Sequence, residues 1–148
     1  MSNASLANSG YGATFFVGDT SSPIDYTAVA EIASINKKNF TVPSIDVTHL
    51  LSPNATEEMI PGILKPGTVE LTGNFIGDVT QLQFTTLAQA QTVFNFKVTA
   101  PMQKNTKTYT AVGTCFVTDF ETGPFEANKK IDFKVTLQRT GILVETVA

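Results

Sequence analysis

Tryptophan is absent from this sequence, and cysteine and histidine occur once each, as Cys115 and His49. A lone cysteine excludes an internal disulfide and a cysteine-ligated metal cluster. A lone histidine, with no serine or cysteine beside it in sequence, supports catalysis or metal binding only if the fold brings partners to it. No window is apolar enough to cross a bilayer as a helix. The N-terminus has neither the basic nor the apolar region of a secretory signal, so the chain is expected to be intracellular at synthesis. Phosphate-loop patterns are missing too. "GTVELTGNFIGD" has glycines, but not in Gly-x-Gly-x-x-Gly spacing and without a Walker lysine.

What remains is a chain of 148 residues, 42% hydrophobic, long enough for one domain with a real core. Its formal charge of −3 argues against an ordinary nucleic-acid binder, which needs cations to displace phosphate counterions. The charge is unevenly spread. Residues 1–96 carry eight acids against three lysines, and residues 97–148 carry five acids against six lysines and Arg139. Such a split could bring like copies together head to tail, or simply reflect two solvated surfaces.

The opening "MSNASLANSG" is small and polar. Residues 1–17 read as a flexible arm before a single domain over residues 18–148, although "ATFFVGD" has the composition of a short strand ending at Gly18. "SSPID" turns the chain into "YTAVAEIASIN", which alternates with apolar residues on both sides and predicts one strand covered on both faces. "KKN" predicts a turn. "VPSIDVTHL" alternates cleanly, with Ile45 and Val47 on one side and Ser44, Asp46 and Thr48 on the other. "GTVELTGNF" repeats the scheme, with Val69, Leu71 and Phe75 inward and Thr68, Glu70, Thr72 and Asn74 outward.

One helix is expected in "GDVTQLQFTTLAQAQ". Asp78 is its N-cap, and Gln81 three residues on resembles a capping box. Val79, Leu82 and the Leu87/Ala88 pair form the expected buried stripe, with Phe84 off it. Three strands follow in "TVFNFKVTA", "KTYTAVGTCFVTDFE" and "KKIDFKVTLQRT", all rich in Thr, Val and Phe. In the last, Ile131, Phe133, Val135 and Leu137 alternate with Asp132, Lys134, Thr136 and Gln138. Runs of strands with a single helix predict a mainly β chain, a β-sandwich or barrel with the helix on one flank.

Chemistry finds little purchase. Glu57 and Glu58 are adjacent, and on a loop their side chains diverge, which makes a weak acid/base pair. Asp119 and Glu121 share a strand end, but two carboxylates are too few for calcium. The glycosylation triplets at Asn3, Asn39 and Asn54 are expected by chance in a chain rich in Asn and Thr. No cofactor and no enzymatic activity are expected.

The unusual stretch is "LLSPNATEEMIPGILKPG", Leu50 to Gly67, read as a long link between two strands. Most such links take a handful of residues, and a floppy one would be mainly Gly, Ser and charge. This one carries Leu50, Leu51, Met59, Ile60, Ile63 and Leu64, punctuated by Pro53, Pro61 and Pro66, which lower the entropy of ordering it. Either these aliphatics fold back on their own domain, or they dock on another copy. Exposed apolar patches in soluble proteins mark partners, which favours the second.

The run "SIDVTHLLSPNATEEMIPGILKPGTVELTGNF" resembles the signature region of the major tail tube proteins of long, flexible-tailed bacteriophages. The matching pieces are Ile45–Thr48, Ser52–Pro53, Ile60–Gly62, Gly67–Phe75 and the stretch from Asp78. "VTDFETGPFEANKKIDFKVTLQRTGI" is similar to the closing pair of strands, ending near Gly141. The resemblance runs from Tyr26 to Ile142, and the ending "ILVETVA" and the N-terminal arm depart from it.

The resemblance implies a β-sandwich with a flanking helix at Asp78, Leu82 and Leu87, assembled into hexameric rings whose sheets join into a continuous inner barrel. Stacked rings would hold a tape measure protein and later conduct DNA without binding it specifically. A tail-tip or baseplate initiator and a tail terminator would be further partners, and no membrane is involved. The long link becomes the inter-ring stacking loop: Leu50, Leu51, Ser52, Pro53, Asn54, Glu57, Glu58, Met59, Ile60, Pro61, Ile63 and Leu64. A bore that passes DNA should be neutral or acidic, and Asp46, Thr48, Glu70, Thr72 and Asp132 are its expected lining. The alternative is a monomeric β-sandwich that recognises a glycan or receptor through Tyr11, Tyr26 or Tyr109, a reading that the absence of Trp weakens.

Overall fold

A computed structural model describes Ser5 and residues 7–19, 23–102 and 106–148. The strands are β1 (Thr14–Gly18), β2 (Tyr26–Ala28), β3 (Ile32–Lys37), β4 (Phe40–Thr41), β5 (Ser44–Asp46), β6 (Met59–Pro61), β7 (Lys65–Pro66) and β8 (Thr68–Asn74). Helix α1 (Val79–Ala90) follows, then β9 (Phe94–Met102), β10 (Lys107–Thr122) and β11 (Asp132–Val147). Seven strands form one antiparallel sheet in the order β2-β1-β9-β10-β11-β8-β3. The fold is mainly β with one helix, as expected.

The sheet rolls up because consecutive strands sit on its opposite edges. β2 pairs with β1 and β3 with β8, yet only Val29–Glu31 separate them. The expected single strand over "YTAVAEIASIN" is therefore two. Glu31 takes a left-handed conformation (φ 52°) that breaks the run, and its carbonyl accepts from the Asn74 amide. The two halves of β10 and β11 serve different layers. Their first and second halves respectively continue β2-β1-β9, and the remaining halves continue β3-β8. Register shifts between Val112 and Thr114 and between Val117 and Asp119 bend β10 as it passes across.

Alternation explains the core. Val69 and Leu71 of β8, Phe94, Phe96 and Val98 of β9, and Phe133, Val135 and Leu137 of β11 all point inward and are buried. Phe15 stacks on Phe96 with ring centroids 5.8 Å apart, and Phe84 of the helix packs on Phe15 and Phe120. Losing a ring of this kind from a closed core typically costs about 3–5 kcal/mol. Phe15 and Val17 place Thr14–Val17 inside the domain, so an arm reaching to residue 17 is corrected. Residues 1–4 and 6 of that arm, and residues 20–22 of the turn before β2, lie outside the described residues.

The helix is rotated from its expected orientation. Its buried residues are Gln81 and Phe84, with Leu87 partly buried against the core, while Val79 is 79% exposed and Leu82 45%. Asp78 is the N-cap, accepting from the Thr80 amide at 3.3 Å. Gln81 does not close a capping box. Its amide donates to the carbonyls of Ala30 and Asn74 and accepts from the Ile76 amide, tying the helix to the β2–β3 corner. A buried side-chain amide is tolerated here because each of these bonds offsets its desolvation.

Candidate assembly interface

Residues 40–66 form a β-hairpin that stands off the sandwich. Phe40 pairs with Pro66 and Thr41 with Lys65 at its root, and Ser44–Asp46 with Met59–Pro61 further out. The stretch from Leu50 to Gly67 is thus no loop between two core strands but a tip and a returning strand. The strand expected over "VPSIDVTHL" is ordered as Ser44–Asp46 and belongs to this hairpin, not to the sandwich. The Gly62 amide donates to the Pro43 carbonyl at 2.7 Å where the two segments shift register by one residue.

The root is clamped. Lys38 N donates to Thr68 O and Gly67 N to Asn39 O. Gly67 has to lack a side chain, since a Cβ there would lie 2.1 Å from the Lys38 carbonyl oxygen. Arg139 occupies an inward position of β11 in phase with Leu137 and is only 4% exposed. Its guanidinium donates to the carbonyls of Lys38, at 3.1 Å, and Asn39, and its own amide donates to Gly67 O. Gln138 adds bonds to the Pro66 and Gly67 carbonyls.

Beside this clamp Lys37 lies 3.8 Å from Glu145, donates to Asn39 Oδ1 and sits over the Tyr109 ring. The Tyr109 hydroxyl donates to Glu145. Burial lowers the Lys37 and Arg139 pKa values, and burial followed by the bond to Glu145 raises that of Tyr109. Sequence reasoning missed Arg139 as a site residue. The available signal was a cation falling on the inward beat of Phe133, Val135 and Leu137.

The tip organises itself through polar groups. Thr48 N donates to Asp46 Oδ1 at 2.9 Å, and the Thr48 hydroxyl and backbone together hold the Asp46 carboxyl below its usual range. The Glu58 amide donates to Thr48 Oγ1, and Val47 N to Glu58 O. The Glu58 carboxylate accepts from Ser52 Oγ at 2.7 Å and lies 3.3 Å from His49 Nε2. His49 Nδ1 accepts from the Leu51 amide, and a single 3-10 turn follows at Pro53–Ala55. His49 and Glu58 are structural elements of this tip, and Glu57 points away into solvent.

Ten large apolar side chains of the hairpin are left uncovered by the domain. Leu50, Leu51 and Ile63 are the most exposed, at 104%, 86% and 86%; Phe40, Val42, Ile45, Val47, Met59, Ile60 and Leu64 are the rest. Packing back on the sandwich, one of the two placements open to this segment, is not what the chain does.

The five residues expected to line a bore do not share a surface. Glu70 and Thr72 of β8 lie opposite Thr136 and Lys134 of β11, with Asp132 opposite Asn74, on one outer face. Asp46 and Thr48 are on the hairpin, their polar atoms taken up in its tip. Glu121 stands directly opposite Lys134 rather than joining Asp119 in a cation site. Among the described residues no three His, Cys, Asp or Glu side chains gather to hold a metal. Of the tyrosines considered for sugar binding, Tyr11 is exposed, Tyr26 carries the Lys97 ammonium 4.6 Å from its ring centre, and Tyr109 is bonded to Glu145.

No protein-family model matches the sequence, and no curated protein matches it by sequence. Solved structures do match in shape. The tail of an empty gene transfer agent particle, determined with C6 symmetry, superposes with a TM-score of 0.74 at 17% identity, over 95% of this chain and 99% of that one. The tube-terminating cap of an anti-feeding prophage gives 0.73 at 13% identity, over 100% and 96%. The SPP1 tail tube gives 0.64 at 11% identity, over 92% and 77%. At such identities the likeness establishes the fold: this chain has the architecture shared by tail-tube proteins.

Proposed function

We propose that the chain is the structural subunit of a virion tail tube, built from rings of six copies that stack through the Phe40–Pro66 hairpin. The observation that carries this is the hairpin itself. Its root is clamped and its tip is internally bonded, yet ten large apolar side chains along it stay exposed, three of them almost wholly. A segment ordered in advance loses less entropy on docking. Burying one such side chain from full exposure is worth about 1.5–3 kcal/mol, from which the lost freedom of association must be subtracted. A ring that engages all its hairpins at once multiplies the contact of a single hairpin into a strong one.

Stacking of this kind is head to tail, so it does not close on itself and propagates into a filament. The fold likeness to the gene transfer agent tail and the SPP1 tail tube supports the same reading. In it the tube encloses a tape measure protein and then conducts DNA without gripping it. Growth starts from a tail-tip or baseplate initiator, ends at a terminator, and takes place in the host cytoplasm. The role asks for no cofactor and no catalysis. Phage tails and gene transfer particles both fit it.

Negative-stain imaging of concentrated protein, alone and with a tail-tip complex as seed, tests the proposal. Tubes or stacked rings are expected. Leu50→Asp combined with Leu51→Asp should leave the domain folded by circular dichroism and stop growth beyond single rings. A chain that stays monomeric under every condition, or doubly substituted protein that forms tubes of normal length, would overturn it.

A further inference from the structure

Two edges of the layer β2-β1-β9-β10-β11 are open. β8 pairs with β11 only as far as Gln138. From Thr140 to Val147, β11 is held by β10 on one side, and among the described residues no strand lies against the other. At the far border, among the described residues, β2 pairs with β1 alone. Natural proteins blunt such edges with lysine, proline or very short strands. The Thr140–Val147 edge uses none of these. Ile142 is 79% exposed and Val144 57%. Its one charge, Glu145, is drawn inward to Tyr109 and Lys37.

The two edges match in level and in direction. Ala28 stands opposite Phe16, Phe16 opposite Lys97, Lys97 opposite Val112, and Val112 opposite Val144. Ala28 and Val144 are thus the two ends of one rung across five strands. Every pairing along it is antiparallel, so β2 and β11 run the same way. A second copy brought alongside by rotation, without inversion, therefore presents its β2 to β11 in the sense needed for parallel pairing. Such a contact joins unlike edges, and rotation closes it into a ring.

We propose that the open Thr140–Val147 edge of β11 takes β2 of a second copy of this chain as its next strand, with Val144 level with Ala28 of that copy. The inference rests on the tube reading and adds to it which edges close the ring. Two residues along from this rung, Thr14, Thr99, Thr110 and Thr146 stand side by side, so each subunit brings a row of four threonines to the closed ring.

Directly opposed residues on paired strands lie within disulfide reach, which gives the test. Tubes of the Ala28→Cys, Val144→Cys double variant are imaged, oxidised and run on non-reducing denaturing gels. A covalent ladder rising to six chains is expected, absent from each single variant and from a Ser34→Cys, Val144→Cys pair that probes the open edge of β3. Hydrogen exchange on unsubstituted tubes provides the second measurement, with amides within 26–28 and 140–147 slowed at least tenfold on assembly. Tubes whose double variant gives no ladder and whose edge amides gain no protection overturn the edge assignment and leave the tube reading standing. A ladder from the Ser34 pair instead does the same. Failure of the unsubstituted chain to form rings or tubes overturns both.

Discussion

Replacing Arg139 with methionine should loosen the hairpin at its root while leaving the sandwich packed. The guanidinium is almost wholly buried and satisfies two carbonyls, those of Lys38 and Asn39, at the point where β3 gives way to the hairpin. A hydrogen bond from a charged donor contributes about 1.5–3 kcal/mol net. Methionine keeps most of the aliphatic stem but returns neither bond. Burial already disfavours the guanidinium charge, so its removal gives back part of the loss. The balance is a destabilisation of roughly 3 kcal/mol, which at about 2–4 °C per kcal/mol lowers Tm by about 6–12 °C. Scanning calorimetry measures the total, and tryptic cleavage after Lys37 and Lys38 reports the root itself. A Tm within about 2 °C of the parent, with no faster cleavage, would show that the cost of burying the charge cancels its bonds, and the clamp argument would fall.

Gly67→Ala should cost about 2–3 kcal/mol in urea unfolding, because the added carbon meets backbone, which cannot swing aside. Glu58→Ala should leave global stability within about 1 kcal/mol, since the residue is partly exposed and its bonds stay within the tip, but should speed proteolysis between Val47 and Glu58. Asp78→Ala removes the helix cap. The Thr80 hydroxyl and amide hold the folded Asp78 carboxyl below its ordinary 3.8, so the cap stabilises above that pH and is lost as pH falls through the folded value. The gap between parent and variant melting curves should be open at pH 7 and should narrow progressively as pH falls below the ordinary carboxylate range. Cys115 is fully buried and its pKa is raised by that burial, so a thiol reagent should label it only as fast as the domain unfolds.

How far the sequence could be read depended on whether a strand had one wet face. β8 and the first half of β11 alternate because one side is core and the other solvent, and there Val69, Leu71, Phe133, Val135 and Leu137 were legible. β5 alternates as cleanly, with Ile45 between Ser44 and Asp46, but the hairpin has no buried face, so the pattern pointed to a sandwich strand that this segment does not form. Pro61 and Pro66 further disguise a returning strand, since proline normally argues against one. The split between β2 and β3 is hidden because Glu31, not glycine, takes the left-handed turn. The helix face was misplaced because a glutamine supplies one of its two buried positions, a choice dictated by the backbone groups of Ala30, Asn74 and Ile76 rather than by hydrophobicity. The exposed aliphatics of Leu50–Leu64 were plain from composition, but their common mounting on one arm was not.

β10 and β11 each run sixteen residues without interruption through both layers, and the arm is fastened to β11 at Arg139 and Gln138. A pull on the arm is therefore delivered near the middle of the longest strand pair in the molecule. From there it loads many backbone bonds in shear at once instead of unzipping them singly. Mechanical failure under tension is expected at the arm's two short pairings, outward of that anchor, while the body of the subunit keeps its shape.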